Sequence, residues 1–197
     1  MVGGQWLASA TAFALSMSAT PGPNNTMVAA SGANFGFRPT LPHMLGVSVG
    51  FPVMLLLVAL GAGEVLRTWP VLQIALRWVG AAYLLFLAWK IATAEPGMGQ
   101  AERTGRPMTF VQGALFQWVN PKAWVIAAGA VVTYTAGWVE SALLAGIFLL
   151  MCLLCLAFWT GVGAGAGRML RSPASLRWFN WVMAAMLVAS LVPLFTE

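Results

Sequence analysis

Apolar residues run along this chain in six long stretches, about 8–32, 41–62, 71–94, 109–133, 140–163 and 176–195, with short polar connections between them. Each is long enough to cross a hydrocarbon core, which takes about 20 residues of helix. The pattern predicts an all-α polytopic membrane protein with six transmembrane helices. The longest polar connection, Glu95 to Pro107, falls at the midpoint and contains Gly and Pro, as linkers do. It divides the chain into 1–94, a first three-helix repeat, 95–107, a cytoplasmic linker, and 108–197, a second three-helix repeat.

Two proline breaks interrupt the first and fourth stretches, Pro21-Gly22-Pro23-Asn24-Asn25 and Asn120-Pro121-Lys122. Pro23 and Pro121 are 98 positions apart (121 minus 23), half of the 197-residue chain. The same offset carries the second stretch onto the fifth and the third onto the sixth. Three spans per half is an odd number, so the second half is expected to be inverted, with a pseudo-two-fold axis in the membrane plane. Proline has no N–H and clashes with the carbonyl four residues back, so the breaks are expected to free the carbonyls of Met17, Ala19 and Gln117. At mid-depth such groups need partners or a polar cavity. Matching broken helices in a duplicated chain predict a transporter with its binding site between the halves.

Charged residues make up 8% of the chain and hydrophobic ones 60%, against roughly a quarter charged in soluble domains. The net charge of +5 does not describe a nucleic-acid surface once its sources are placed. Alternating loops put Arg38, Lys90, Arg103, Arg106, Arg168, Arg171 and Arg177 on one side, Arg67 and Arg77 on the other, and Lys122 within a span. That bias makes the first side cytoplasmic and both termini periplasmic. No Lys or Arg precedes Gly36, so the basic start of a cleaved signal peptide is missing and residues 1–32 are read as part of the mature protein.

Lys122 carries the sharpest chemical signal. An ammonium within a span costs about 3 kcal/mol, and every acidic residue, Glu64, Glu95, Glu102, Glu140 and Glu197, maps to a loop or the terminus. Asn120 suits an N-cap and Pro121 the first helical position. Each half-helix start then brings unpaired N–H groups and the positive end of a dipole to the protein centre. A substrate carboxylate would offset Lys122; alternatively, its side chain snorkels to an interface or is satisfied by the freed carbonyls. Asn24 and Asn25, with Ser16, Ser18, Thr20 and Thr26 nearby, offer both donors and acceptors. The set Pro21, Gly22, Pro23, Asn24, Asn25, Asn120, Pro121 and Lys122 therefore reads as a zwitterion site. Polar residues acting as glue between helices stand beside that reading.

Other features read more plainly. His43, the single histidine, starts the second span, where it suits a proton relay or is simply solvated. Cys152 and Cys155 lie one turn apart in the fifth span and read as small buried apolar residues. Gly46 with Gly50, and Gly161, Gly163, Gly165 and Gly167, read as helix packing or a hinge; the second set lacks the strand and Lys-Ser/Thr of a phosphate loop. Trp69, Trp89, Trp138, Trp178 and Trp181 fall near span ends and read as headgroup anchors. The expected partners are a small amino acid and membrane lipid. No enzymatic activity, cofactor, metal or nucleic acid is expected, and homo-oligomerisation is left open.

The stretch Thr20 to Asn25, the Gly36-Phe37-Arg38 turn, Gly46 to Gly50, Ala81-Ala82-Tyr83-Leu84 through Trp89-Lys90, and Asn120-Pro121-Lys122 resemble the LysE/RhtB family of bacterial amino-acid exporters over nearly the whole chain. Ala82 to Leu84 through Lys90-Ile91-Ala92-Thr93, with Gln117-Trp118-Val119-Asn120, are most similar to the cysteine and O-acetylserine exporter branch. The resemblance implies secondary active efflux across a bacterial inner membrane by antiport with protons. The lack of an intramembrane carboxylate favours a small neutral substrate of the cysteine, O-acetylserine, homoserine or threonine type. A membrane thiol carrier would need one cysteine in each half, whereas both lie in one span. A structural subunit without transport is the remaining alternative.

Overall fold

The computed structural model describes residues 2–94, 106–170 and 172–192, and in these every regular element is a helix. Most of the expected linker, 95–105, lies outside the described residues, as do Arg103 and Arg171. The helices are α1 (Gly4–Ala19), α2 (Pro23–Phe35), α3 (Phe37–Leu57), α4 (Gly63–Thr68), α5 (Pro70–Ala92), α6 (Phe110–Phe116), α7 (Pro121–Tyr134), α8 (Trp138–Met169) and α9 (Pro173–Ala189).

The helix ends follow from local chemistry. α1 stops before Pro21, and α2 restarts with Pro23 at its first position, where a missing N–H costs nothing. α6 opens on a capping box, with the Gln112 N–H donating to Thr109 Oγ1 at 3.2 Å and the Thr109 N–H donating to Gln112 Oε1 at 2.9 Å. It tightens into a 3-10 turn, Gln117–Val119, before α7 restarts at Pro121. Both breaks therefore fall where the prolines predict. Gly36, at φ 91, makes the sharp turn from α2 to α3, a conformation open mainly to glycine.

Three helices are long and apolar enough to cross a membrane by length and composition: Phe37–Ala62, which joins α3 to a wide turn, Val71–Ala92 and Trp138–Met169. The surface suits lipid as solvent, with Val71 (77%), Val125 (68%), Val132 (85%) and Phe158 (66%) turned outward. All five tryptophans expected at span ends are exposed.

α8 is the central post, contacted by α1, α2 and α3, while α6 packs on α3 and α9 bridges α2 and α5. Backbone glycines set these approaches. A Cβ on Gly46 or Gly50 of α3 would lie 2.1 Å from the Phe110 oxygen or 2.6 Å from Ala114 Cα of α6. A Cβ on Gly163 or Gly167 of α8 would lie 2.0 Å from the Ala29 oxygen or 2.3 Å from the Ala33 oxygen of α2. Small residues let helix backbones meet at such distances. The alternating glycines of α8 are thus not equivalent, since Gly161 and Gly165 face open space.

The α8–α2 contact at Gly167 places Arg168 beside the C-terminal end of α2, next to the turn that leads to Arg38. Lys90 and Arg106 line a cavity with Asn34 and Phe35 of that same α2 end. Asn34 also pairs with Asn180, which brings in Arg177 of α9. One end of the bundle is therefore basic. The N-terminal turn of α1 and the C-terminal turn of α7 meet at the other end, where the Trp6 indole N–H donates to the Tyr134 carbonyl at 3.0 Å.

Candidate functional site

The two breaks face one another. Lys122, in the first turn of α7, reaches across to the α1–α2 break, where its Nζ donates to the Thr20 carbonyl at 2.9 Å and the Pro21 carbonyl at 3.5 Å. The approach is close enough that a Cβ on Gly22 would lie 2.9 Å from Lys122 Cδ. Lys122 is held by carbonyls of the α1–α2 break, but by those of Thr20 and Pro21 and not by the Met17, Ala19 or Gln117 carbonyls that the prolines are expected to free. It does not snorkel to an interface.

The break carbonyls are shared out among side chains. Asn25 Nδ2 donates to Ser18 O at 2.7 Å and Thr20 O at 3.0 Å, and the Trp159 indole donates to Ala19 O at 3.3 Å. The expectation for Ala19 is met. For Gln117 it is not: the 3-10 turn lets its carbonyl accept the Asn120 N–H at 3.3 Å, so the tightened turn absorbs the bond that Pro121 cannot make.

A small cavity of about 50 Å³ lies between the breaks, with room for a few waters. Its polar side is Ser18, Gly22, Asn24, Asn25, Asn120 and Lys122; its apolar side includes Val47, Phe51, Phe148 and Leu156. Among the described residues no acidic side chain lines it. Pro23 lines it too, whereas Pro21 contributes its carbonyl and Pro121 only starts α7. Asn120 stands at the N-cap position of α7, but its side chain does not cap. Its backbone carbonyl instead accepts the N–H of Ala123 at 3.0 Å. The Asn120 Oδ1 is left buried with no hydrogen-bond partner, which is an uncommon and costly state for a buried acceptor.

Four contributors are not placed in the site by the sequence reading. Gln117, fully buried, forms a reciprocal amide pair with Asn24, donating Nε2 to Oδ1 at 3.2 Å and accepting Nδ2 on Oε1 at 2.9 Å. Cys152 lines the cavity with its Sγ 3.6 Å from Ser18 Oγ. Phe51 and Phe148 meet edge to face at 5.0 Å. The repeat offset carries no signal for these four; it does carry Gly22, Asn24 and Asn25 onto Asn120, Lys122 and Ala123 at 98 positions, and all six line the cavity.

His43 is not part of this constellation. It lies toward the basic end, 1% exposed, with neither ring nitrogen hydrogen-bonded, and its backbone packs on Gly113 of α6. The reading of a solvated interfacial histidine is thereby corrected: close packing of α3 on α6 removes it from water. Among the described residues no group of His, Cys, Asp and Glu is placed to hold a metal, and both cysteines are free.

Comparison with known proteins gives the family. The family model described as LysE type translocator matches residues 15–195. The cysteine/O-acetylserine efflux protein of Klebsiella pneumoniae is 31% identical over 184 residues, 90% of this chain and 91% of its own. Proteins of the same description from Salmonella choleraesuis and Escherichia coli O1:K1 are 38% and 36% identical over 115 residues, 58% of each chain. No solved structure matches. With the match running through both breaks and over most of its length, the chain belongs to the LysE family of translocators.

Proposed function

We propose that this protein exports a small neutral amino acid from the bacterial cytoplasm, and that the cavity between the two breaks is its binding site. The observation that carries the reading is Lys122. Its ammonium is held by neutral carbonyls beside a cavity that no acidic side chain among the described residues lines, so its full charge stays available to an incoming carboxylate. The starts of α2 and α7 add unpaired N–H groups and positive dipole ends to the same space. Asn120 Oδ1 is a vacant acceptor for the substrate ammonium, and the side chain would lie toward Phe51, Phe148 and the Ser18–Cys152 pair. Short side chains of the cysteine, O-acetylserine, homoserine or threonine type suit that end, in keeping with the efflux proteins this chain resembles.

The six-span, inverted-repeat reading supports alternating access, in which one half rocks against the other around the fixed site. The basic end faces the cytoplasm in this reading, which puts both termini in the periplasm. A cavity of about 50 Å³ is smaller than an amino acid needs, so the arrangement described is a closed one that must widen to load. His43 is the candidate for proton coupling, as a buried imidazole with both nitrogens unengaged.

The test is efflux from amino-acid-loaded membrane vesicles. Lys122→Met is expected to abolish export while inserting normally, and full export by the inserted variant overturns the site. In the same vesicles, collapse of the pH gradient and membrane potential is expected to stop accumulation. Unchanged export would remove the proton from the mechanism and leave the site standing.

A further inference from the structure

A second cavity, of about 350 Å³, opens at the basic end between α2, the C-terminal turn of α5 and Arg106–Met108. Its volume falls within the range of small-molecule sites, and its lining has a consistent chemistry. Met27, Ala30, Leu87, Ile91 and Met108 supply apolar wall, Lys90 and Arg106 supply positive charge, and among the described residues no acidic side chain lines it. Ser31, Asn34, Thr93 and His43 form its neutral polar part, and the Thr93 hydroxyl is engaged, donating to the Trp89 carbonyl at 2.8 Å. Ser31 is bonded to Thr40 at 2.8 Å and Asn34 to Asn180 at 2.7 Å, so these two are already engaged. His43 is not. A neutral imidazole carries one donor and one acceptor, and both are without partners in a residue 1% exposed that lines the cavity.

α2 connects this cavity to the central one. Its first turn, Gly22 to Asn25, lines the site between the breaks, and Met27 to Phe35 line the larger cavity. Asn24 and Asn34 are ten residues apart, about 15 Å along a helix, so one small amino acid cannot occupy both. The Asn24–Gln117 pair and the apolar cluster of Met27, Leu84 and Phe116 stand between them. From this arrangement we infer that the larger cavity is a loading site, where the zwitterionic amino acid docks with its carboxylate toward Lys90 and Arg106 and a donor on His43 before it passes along α2 to Lys122. The inference rests on the export reading above and adds to it a second, earlier binding step.

The experiment places a cysteine at Met108, which is half-exposed on the cavity wall. Inside-out vesicles bearing Met108→Cys are treated with a charged, membrane-impermeant methanethiosulfonate, and modification of that position is followed by peptide mass. O-acetyl-L-serine and L-homoserine serve as probes. Either probe is expected to slow modification several-fold, to do so equally in a Met108→Cys, Lys122→Met protein, and to lose the effect when His43→Phe is added. Protection that disappears with Lys122→Met would assign it to the central cavity and overturn the loading site. Modification slowed by anionic lipid content and indifferent to amino acids would make this a lipid headgroup site and overturn it as well. Lys122-dependent export without any protection at Met108→Cys sinks the loading site alone; export that ignores Lys122→Met sinks the central site alone.

Discussion

Lys122 is held by groups that cannot neutralise it. Carbonyl dipoles lower the cost of burying an ammonium without removing its charge, which is what the proposed carboxylate-binding role requires. The spacing depends on Gly22, whose missing Cβ leaves room for the lysine stem. The neighbouring Asn24–Gln117 pair fixes where the start of α2 stands relative to the α6–α7 break. Gln117→Leu is expected to lower stability by about 1–3 kcal/mol, because it strands both polar ends of Asn24. Adding Asn24→Leu should recover part of that loss, since both partners are then apolar. Thermal unfolding in detergent reads both variants, and strictly additive losses would mean that the pair carries no coupling. Lys122 was legible in the sequence because an ionisable residue inside an apolar stretch stands out against its surroundings. Gln117 was not, because a lone glutamine near a break is chemically unremarked until the fold brings Asn24 to it from 93 positions away.

At the level of elements, the proline breaks and the helix starts were legible because proline acts on its own backbone, whatever the tertiary context. Partner choice was not local. The run Gly161, Gly163, Gly165 and Gly167 has period two, whereas a helix face repeats at three and four, so only Gly163 and Gly167 can share the face that meets α2. Gly163→Ala is expected to cost about 1–3 kcal/mol through overpacking against the Ala29 carbonyl. Gly161→Ala and Gly165→Ala, which meet nothing within 4 Å, are expected to be neutral or to add up to about 1 kcal/mol from helix propensity. Unfolding of the three single variants under one detergent condition checks the contrast, and equal losses at all three positions would refute the seating of α2 on this face. The same logic explains the burial of His43: a helix-end histidine reads as wet until Gly113 lets α6 close over it.

For the whole molecule, the helices that restart after the two breaks, α2 and α7, are packed quite differently. Eleven of the 13 residues of α2 are buried, but only Ala123, Ala127 and Ala130 of the 14 residues of α7 are. α2 is wedged between α8 and α9, while α7 is lightly held, and α7 carries Lys122. The offset between the breaks suggests a duplication in the sequence, but an offset is silent about which of the two restarted helices is clamped. At the end opposite the basic one, α7 is secured to α1 by Trp6 and by the Tyr134 hydroxyl, which donates to the Ser9 carbonyl at 3.3 Å. Aromatic contacts continue inward from Tyr134 to Phe13 (5.5 Å), from Phe13 to Phe148 (6.3 Å) and from Phe148 to Phe51 (5.0 Å), which reaches the central cavity. These contacts tie α7 and α1 to the cavity wall on the side that the export reading makes periplasmic, and we propose that they act as its latch there. Each hydrogen bond and ring pair contributes about 0.5–1.5 kcal/mol, so losing several shifts a two-state equilibrium by one to two orders of magnitude. Trp6→Ala with Tyr134→Ala is therefore expected to favour the outward-open form and to speed modification of Cys152, which is 9% exposed on the cavity wall, by an impermeant thiol reagent applied from the periplasmic face. A folded double variant in which Cys152 reacts no faster than in the unaltered protein would show that α7 does not swing at this latch.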